Sequence, residues 1–195
     1  MSPQPSLAVL RPAAMLLVVL SLVTGVIYPL AIAGLAQGLF PRQALGSLLT
    51  RNGALIGSSL IGQNFSDPGH FWGRPSATTP QPYNATASGG SNLGPLNPAL
   101  TAAVRARIAA LRAADPGNAA PLPVDLVTSS GSGLDPEISV AGAAWQAARV
   151  ARARHVPVER IRALIGAHSH GSVLGVIGEP RVNVLELNLA LDALD

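Results

Sequence analysis

The hydrophobic pattern changes character near residue 42. Between Arg11 and Arg42 there is no charged residue, and Ala13 to Ala36, AAMLLVVLSLVTGVIYPLAIAGLA, is almost unbroken apolar sequence. About 20 apolar residues suffice to cross a bilayer, so the run predicts a membrane helix over 12–38 behind a short tail over 1–11. Tyr28 suits the headgroup region near the far end, and Pro29 is expected to end or kink the helix. A cleaved signal peptide is the competing reading. Arg11 would be its n-region, Met15 to Val23 its apolar run and Ala31-Ile32-Ala33 its cleavage site. The apolar stretch continues well past such a run, which favours an uncleaved anchor. A short tail ahead of the span and a large domain behind it resemble a signal anchor, with the tail inside and the domain outside.

Beyond Arg42 the pattern is that of a soluble α+β domain over 43–195. GSLLTRNGALIGSSLIGQNF (Gly46 to Phe65) holds two apolar runs around Asn52-Gly53, which predicts two strands and a tight turn. Ser66 to Pro98 is a long stretch rich in glycine, proline and serine. Its few apolar anchors, Phe71, Trp72, Tyr83 and Leu93, point to an ordered loop. Asn97 then reads as an N-cap with Pro98 at the first helical position. Leu100, Val104, Ile108 and Leu111 recur on one helical face, with Arg105, Arg107 and Arg112 mostly on the other, until Asp115-Pro116-Gly117 stops the helix. Leu122 to Ser130 has a strand-like core. A second helix is expected over Val140 to Arg154 with Trp145 inward, and a third from Val156-Pro157 to about Ala167. Gly171 to Gly178 reads as a short strand. Asn183, three residues before Glu186, opens a final helix in the manner of a capping box. The alternation of Leu185, Leu187, Leu189 and Leu191 leaves a strand as the alternative there.

Composition removes several chemistries. The chain has no cysteine, which excludes disulfides, thiolate metal sites and cysteine nucleophiles. All 13 basic residues are arginine, so the P-loop lysine and Schiff-base chemistry are also excluded. The arginines are scattered, and no nucleic-acid footprint results. Three polar clusters remain as candidates. Ser88, Gly89, Gly90, Ser91 and Asn92 form a glycine-rich loop whose N–H groups could turn inward onto a phosphate. It lacks the lysine and spacing of a Walker motif, although its SGG core is similar to the signature loop of ABC-type ATPases. An ordered turn packed on the aromatic anchors is the plainer reading. SSGSGLDPE (Ser129 to Glu137) fails the G-x-S-x-G elbow and reads as a loop leading to a helix cap at Asp135 or Ser139. His168-Ser169-His170 lacks a third metal ligand nearby and fits a surface position after a helix end. Glu179 before Pro180-Arg181 reads as solvated. No constellation looks catalytic.

Five stretches taken together carry a resemblance. They are Gly57 to Phe65 (GSSLIGQNF), Phe71 to Ala77 (FWGRPSA), Pro82 to Leu100 (PYNATASGGSNLGPLNPAL), Pro123 to Ser139 (PVDLVTSSGSGLDPEIS) and Val182 to Asp192 (VNVLELNLALD). In this order, behind one membrane helix ending in TGVIYPL, they resemble the C subunit of the bacterial potassium-transporting Kdp ATPase over nearly the whole chain. The resemblance implies a non-catalytic subunit anchored in the inner membrane, acting in assembly and as a catalytic chaperone that raises the ATP affinity of the pump subunit. The implied partners are a potassium-binding channel-like subunit, a P-type ATPase subunit and a small accessory subunit. Potassium is then the transported ion and ATP acts through the complex. Family members vary over Asp135 to Ser139, so Glu137 receives no specific role. The resemblance places the domain on the periplasmic face, whereas ATP is cytoplasmic. From there Ser88 to Asn92 could not touch the nucleotide, and would pack or contact a partner subunit instead. A stand-alone anchored or secreted binding protein, with Ser66 to Pro98 as its ligand surface, is the alternative.

Overall fold

The computed structural model describes residues 9–172 and 175–194. The chain divides into two compact units, Met1–Leu48 and Leu49–Asp195. The expected tail over 1–11 lies, for its first eight residues, outside the described ones.

In the first unit one helix, α1, runs over Leu10–Leu39 and is long and apolar enough to cross a membrane. None of its side chains is buried. It passes through Tyr28-Pro29 without ending. Pro29 has no N–H to give the carbonyl one turn back and its ring crowds that carbonyl, and the helix widens into a π-turn over Val23–Ile27 just before it. The Thr24 hydroxyl donates to Leu20 O at 2.7 Å in the same region. Phe40 then breaks the helix, and the single turn α2 (Pro41–Ala44) follows. Gly46 and Ser47 close it in left-handed conformation, their N–H groups donating to Gln43 O and Arg42 O.

Next comes the ribbon of β1 (Leu48–Arg51) and β2 (Ala54–Ser58). Asn52 and Gly53 both have positive φ, as the two-residue turn expected from the sequence requires. The long loop follows, then α3 (Pro98–Ala114), with Asn97 Oδ1 accepting from the Ala99 N–H as its cap. β3 (Glu137–Ser139) leads directly into α4 (Val140–Arg154), where the Ser139 hydroxyl caps the Gly142 N–H. α5 (Val158–Ala167), β4 (Ser169–His170), β5 (Arg181–Asn183) and α6 (Val184–Asp192) complete the fold. The three short strands form an antiparallel sheet in the order β3-β5-β4, with Ile138 opposite Val182 and Ser169 also paired to Val182. Phe71, Leu111, Leu126, Ile138, Val150, Ile161, Val182 and Leu187 fill the core.

Two expectations fail. Leu122 to Ser130 is not a strand: Val124–Leu126 is a single 3-10 turn. Its backbone groups are engaged by the turn itself and by arginines: the Leu126 and Val127 N–H groups donate to Pro123 O and Val124 O, Arg107 Nε donates to Leu126 O and Arg74 to Ser129 O. The Asp125 carboxylate accepts from the Ser139 N–H and hydroxyl. Gly171 to Gly178 is the connection between β4 and β5, with the strands on either side of it; Val173 and Leu174 within it lie outside the described residues. The final helix prevails over the alternating-leucine strand because Asn183 Oδ1 accepts from the Glu186 N–H and opens α6. Arg107, expected away from the core, turns toward it and is only half-exposed.

Candidate functional site

The long loop is held at two places in different ways. One part, Pro68 to Arg74, passes from the surface at Pro68 into the interior at Phe71 to Gly73 without belonging to any sheet. A buried backbone needs partners for its polar groups, and here side chains supply them. Arg149 donates to Pro68 O, and to His70 O at 3.0 Å. Arg154 Nε donates to Gly69 O at 2.9 Å. The Asn188 carboxamide, from α6, accepts the Phe71 N–H at 2.8 Å and donates to Phe71 O at 3.0 Å. Gln146, from α4, does the same for Trp72, at 2.8 and 3.0 Å. Arg107 donates to Gly73 O at 2.8 Å, and the Tyr83 hydroxyl to Arg74 O at 2.6 Å. Seven consecutive carbonyls are thus satisfied by side chains from α3, α4, α6 and the loop itself. Two carboxamides mimic the double hydrogen bond of a neighbouring strand. Two guanidinium groups lie over the Trp72 ring, Arg149 at 4.7 Å and Arg107 at 5.6 Å from its centroid.

Burial marks the electrostatics of this clasp. Arg149 is 3% exposed, and burial pulls its pKa down to about 10, leaving it charged at neutral pH. Arg107 is shifted down for the same reason. Burial pushes the Tyr83 phenol up to about 12, so it remains a donor to Arg74 O. At the end of α6, Asp192 binds Arg154, His70 Nε2 at 3.0 Å and Arg51 at 3.3 Å. Burial alone would raise the Asp192 pKa, but hydrogen bonds from Arg154 and His70, with their charges, hold it below the ordinary aspartate value.

The second place is the glycine-serine loop. Ser88 is exposed, and its hydroxyl donates to Ser132 O at 3.1 Å. The Gly89 N–H donates to the same carbonyl at 2.9 Å. Gly90 lies so close to Gly131 that a Cβ there would sit 3.1 Å from its carbonyl oxygen. Asn92 is exposed with a left-handed φ of 52°. Ser91 lines a cleft of about 160 Å³ with Leu93, Leu100, Val104 and Val127. Ser88, Gly89 and Gly90 therefore lean on the Ser130 to Gly133 loop, a neighbour that no local sequence pattern indicates. Ser76 ties both to the aromatic anchor: its hydroxyl donates to Gly133 O at 2.7 Å and accepts from the Tyr83 N–H at 2.9 Å. A phosphate cradle gathers N–H groups at a helix N-terminus. Here the following helix begins at Pro98, which has no N–H, and one loop N–H is already committed to Ser132.

The remaining polar clusters are partly paired internally. A groove of about 300 Å³ is lined by Arg74, Asp125, Asp135, Glu137, Glu179 and Arg181 among others. In it Arg74 pairs with Asp135 at 2.9 Å and Arg181 with Glu137 at 2.6 Å. Asp135 also accepts the Glu137 N–H, while Ser139 caps the helix. Among the described residues no three His, Asp or Glu are placed to hold a metal. His168 ends α5 and His170 is exposed on β4. Gln146, Arg149 and Asn188 were missed in the sequence. The signal was present: each is a polar residue at a position where helical periodicity points inward, between Trp145 and Val150 or between Leu187 and Leu191.

Comparison with known proteins places this arrangement. The family model described as "KdpC: K+-transporting ATPase, c chain" matches residues 10–193. A Polaromonas naphthalenivorans protein named potassium-transporting ATPase KdpC subunit is 68% identical over 186 residues, covering 95% of both chains. A protein of the same name from Variovorax paradoxus is 67% identical over 185 residues, covering 95% of this chain and 96% of its own. One from Methylococcus capsulatus is 61% identical over 184 residues, covering 94% and 97%.

Proposed function

The chain belongs to the KdpC family, the c chain of K+-transporting ATPases, and on that premise we propose that it is a non-catalytic subunit which assists assembly and raises the ATP affinity of the pump subunit from a distance. Its partners are the channel-like potassium-binding subunit, the P-type ATPase subunit and a small accessory subunit. It crosses the inner membrane once through α1, with the folded domain on the periplasmic face. ATP and potassium are handled by the complex.

The observation that carries this reading is the use of the Gly89 N–H and Ser88 hydroxyl. Both are spent on Ser132 O, which supports a loop packed for protein contact rather than one open to phosphates. An effect on ATP affinity then has to travel through the membrane subunits as a coupling free energy, of about 1–3 kcal/mol in ordinary cases. The domain contributes to it only by binding one state of its partners better than another.

The test has two arms. A tagged chain drawn from native membranes in mild detergent is expected to bring down two large polytopic subunits. A lone monomer would instead revive a stand-alone binding protein. With the complex in hand, omitting the chain is expected to raise the KM for ATP by about tenfold, the equivalent of about 1.4 kcal/mol. An unchanged KM would remove the chaperone role while leaving assembly.

A further inference from the structure

The ribbon that follows the membrane helix exposes leucines on one face. Side chains alternate along a strand, so Leu48 and Thr50 share one face of β1, and Leu49 the other. A two-residue turn sets Thr50 opposite Leu55 and Leu49 opposite Ile56. Leu49 and Ile56 are half-buried, and Gln63 Nε2 holds Ile56 O at 2.7 Å. On the opposite face Leu48 is 49% and Leu55 62% exposed, while Gly57 at the end of β2 lies against Gln63 and Leu185. Phe40 and Leu45, in the short stretch before the ribbon, are exposed as well. A two-stranded ribbon is marginal in water by itself, and exposed leucines do not help it.

Chain length limits what can cover this face. α1 has 30 residues, about 45 Å at 1.5 Å per residue, which is the thickness of a bilayer with its headgroups. From Leu39 to Leu48 the chain includes the helical turn Pro41–Ala44. With helical residues at about 1.5 Å and extended ones at about 3.4 Å, the reach is roughly 23 Å. The ribbon is therefore confined to the neighbourhood of the surface where α1 emerges. Arg42 is exposed in the short stretch that joins α1 to the ribbon.

We propose that the Leu48–Leu55 face of the ribbon rests on the lipid bilayer at the boundary of headgroups and acyl chains, with Arg42 reaching the phosphates. Burying leucine there is favourable without any loss of backbone hydrogen bonds, because the ribbon keeps its own ladder. Arginine beside an apolar strip can lay its stem on the lipid and its head among the phosphates.

The chain has no cysteine, so one can be placed at Leu55 and carry an environment-sensitive fluorophore. The full chain, in its complex, is reconstituted in nanodiscs with and without doxyl-labelled lipid. Thr50 gives a second position on the same face, and the exposed Val124 a control in the domain. Blue-shifted emission at Leu55 and Thr50, quenched several-fold more by shallow doxyl lipid than at Val124, is the expected result. Water-like emission would overturn the proposal. So would a blue shift without lipid quenching, which would mean that a protein subunit covers the face.

Discussion

Pro68 to Arg74 and Ser88 to Asn92 lie in one long stretch rich in glycine, proline and serine, yet the fold treats them as opposites. The first is buried at Gly69 and from Phe71 to Gly73, and every carbonyl in it is bound by a side chain. The second is mostly exposed and is tied to the domain chiefly through Ser132 O. The first carries Phe71 and Trp72, whose rings enter the core, whereas the second has no large apolar side chain; the backbone around those rings is satisfied by residues far along the chain, at 107, 146, 149, 154 and 188. A segment becomes part of the core when distant side chains can replace the ladder that a sheet would have provided. A segment without such partners stays at the surface, where it is available to another subunit.

The largest expected effect comes from opening the clasp. Asn188→Leu or Gln146→Leu strands one buried N–H and one buried carbonyl, each costing about 1–3 kcal/mol. Either is expected to lose roughly 2–5 kcal/mol of domain stability, read as a lower midpoint in denaturant. A loss below about 1 kcal/mol would show that the clasp is not what holds the segment.

Gly133→Ala probes the junction of the two loops. Gly133 has a φ of 67°, and a Cβ there would lie 2.6 Å from Thr78 Cγ2 and 2.8 Å from Gly89 O. A cost of about 1–3 kcal/mol is expected from the strained backbone and the contact. Gly90→Ala, facing Gly131 O at 3.1 Å, should cost less because its exposed loop can shift. Equal losses would mean that the two loops are fixed equally firmly.

Acid sharpens the same contrast. Asp192 is held below its ordinary pKa in the fold. Its contribution is therefore present above the ordinary aspartate value and is lost as pH falls through the lower folded one. Melting curves of Asp192→Asn should vary less with pH below about 4 than those of the parent. Ser88→Ala, at the exposed loop, should be the mildest change, within about 0.5 kcal/mol. If it matched the clasp variants, the comparison would collapse.

Much of this was legible beforehand. The apolar run, the Asn52-Gly53 turn, the caps at Asn97 and Asn183 and the helices after residue 97 all follow from local rules of length, periodicity and capping. The strands were less legible. β3, β4 and β5 have only two or three residues each, too few for alternation to show. The apolar residues of Leu122 to Ser130 promised a strand, but the 3-10 turn itself, with Arg107 and Arg74, took its backbone groups. The pairing of Ser88 to Asn92 with Ser130 to Gly133 joins segments about 40 residues apart, and no local pattern announces it.

The central claim is that Ser88 to Asn92 faces a partner outside the cell membrane rather than ATP. A single cysteine at the exposed Ser88 tests it, because the chain offers no background thiol. Whole cells with a permeabilised outer membrane are treated with a charged, membrane-impermeant thiol reagent. The account predicts labelling in these intact cells. Labelling that appears only after the inner membrane is lysed would place the loop with the nucleotide and contradict it.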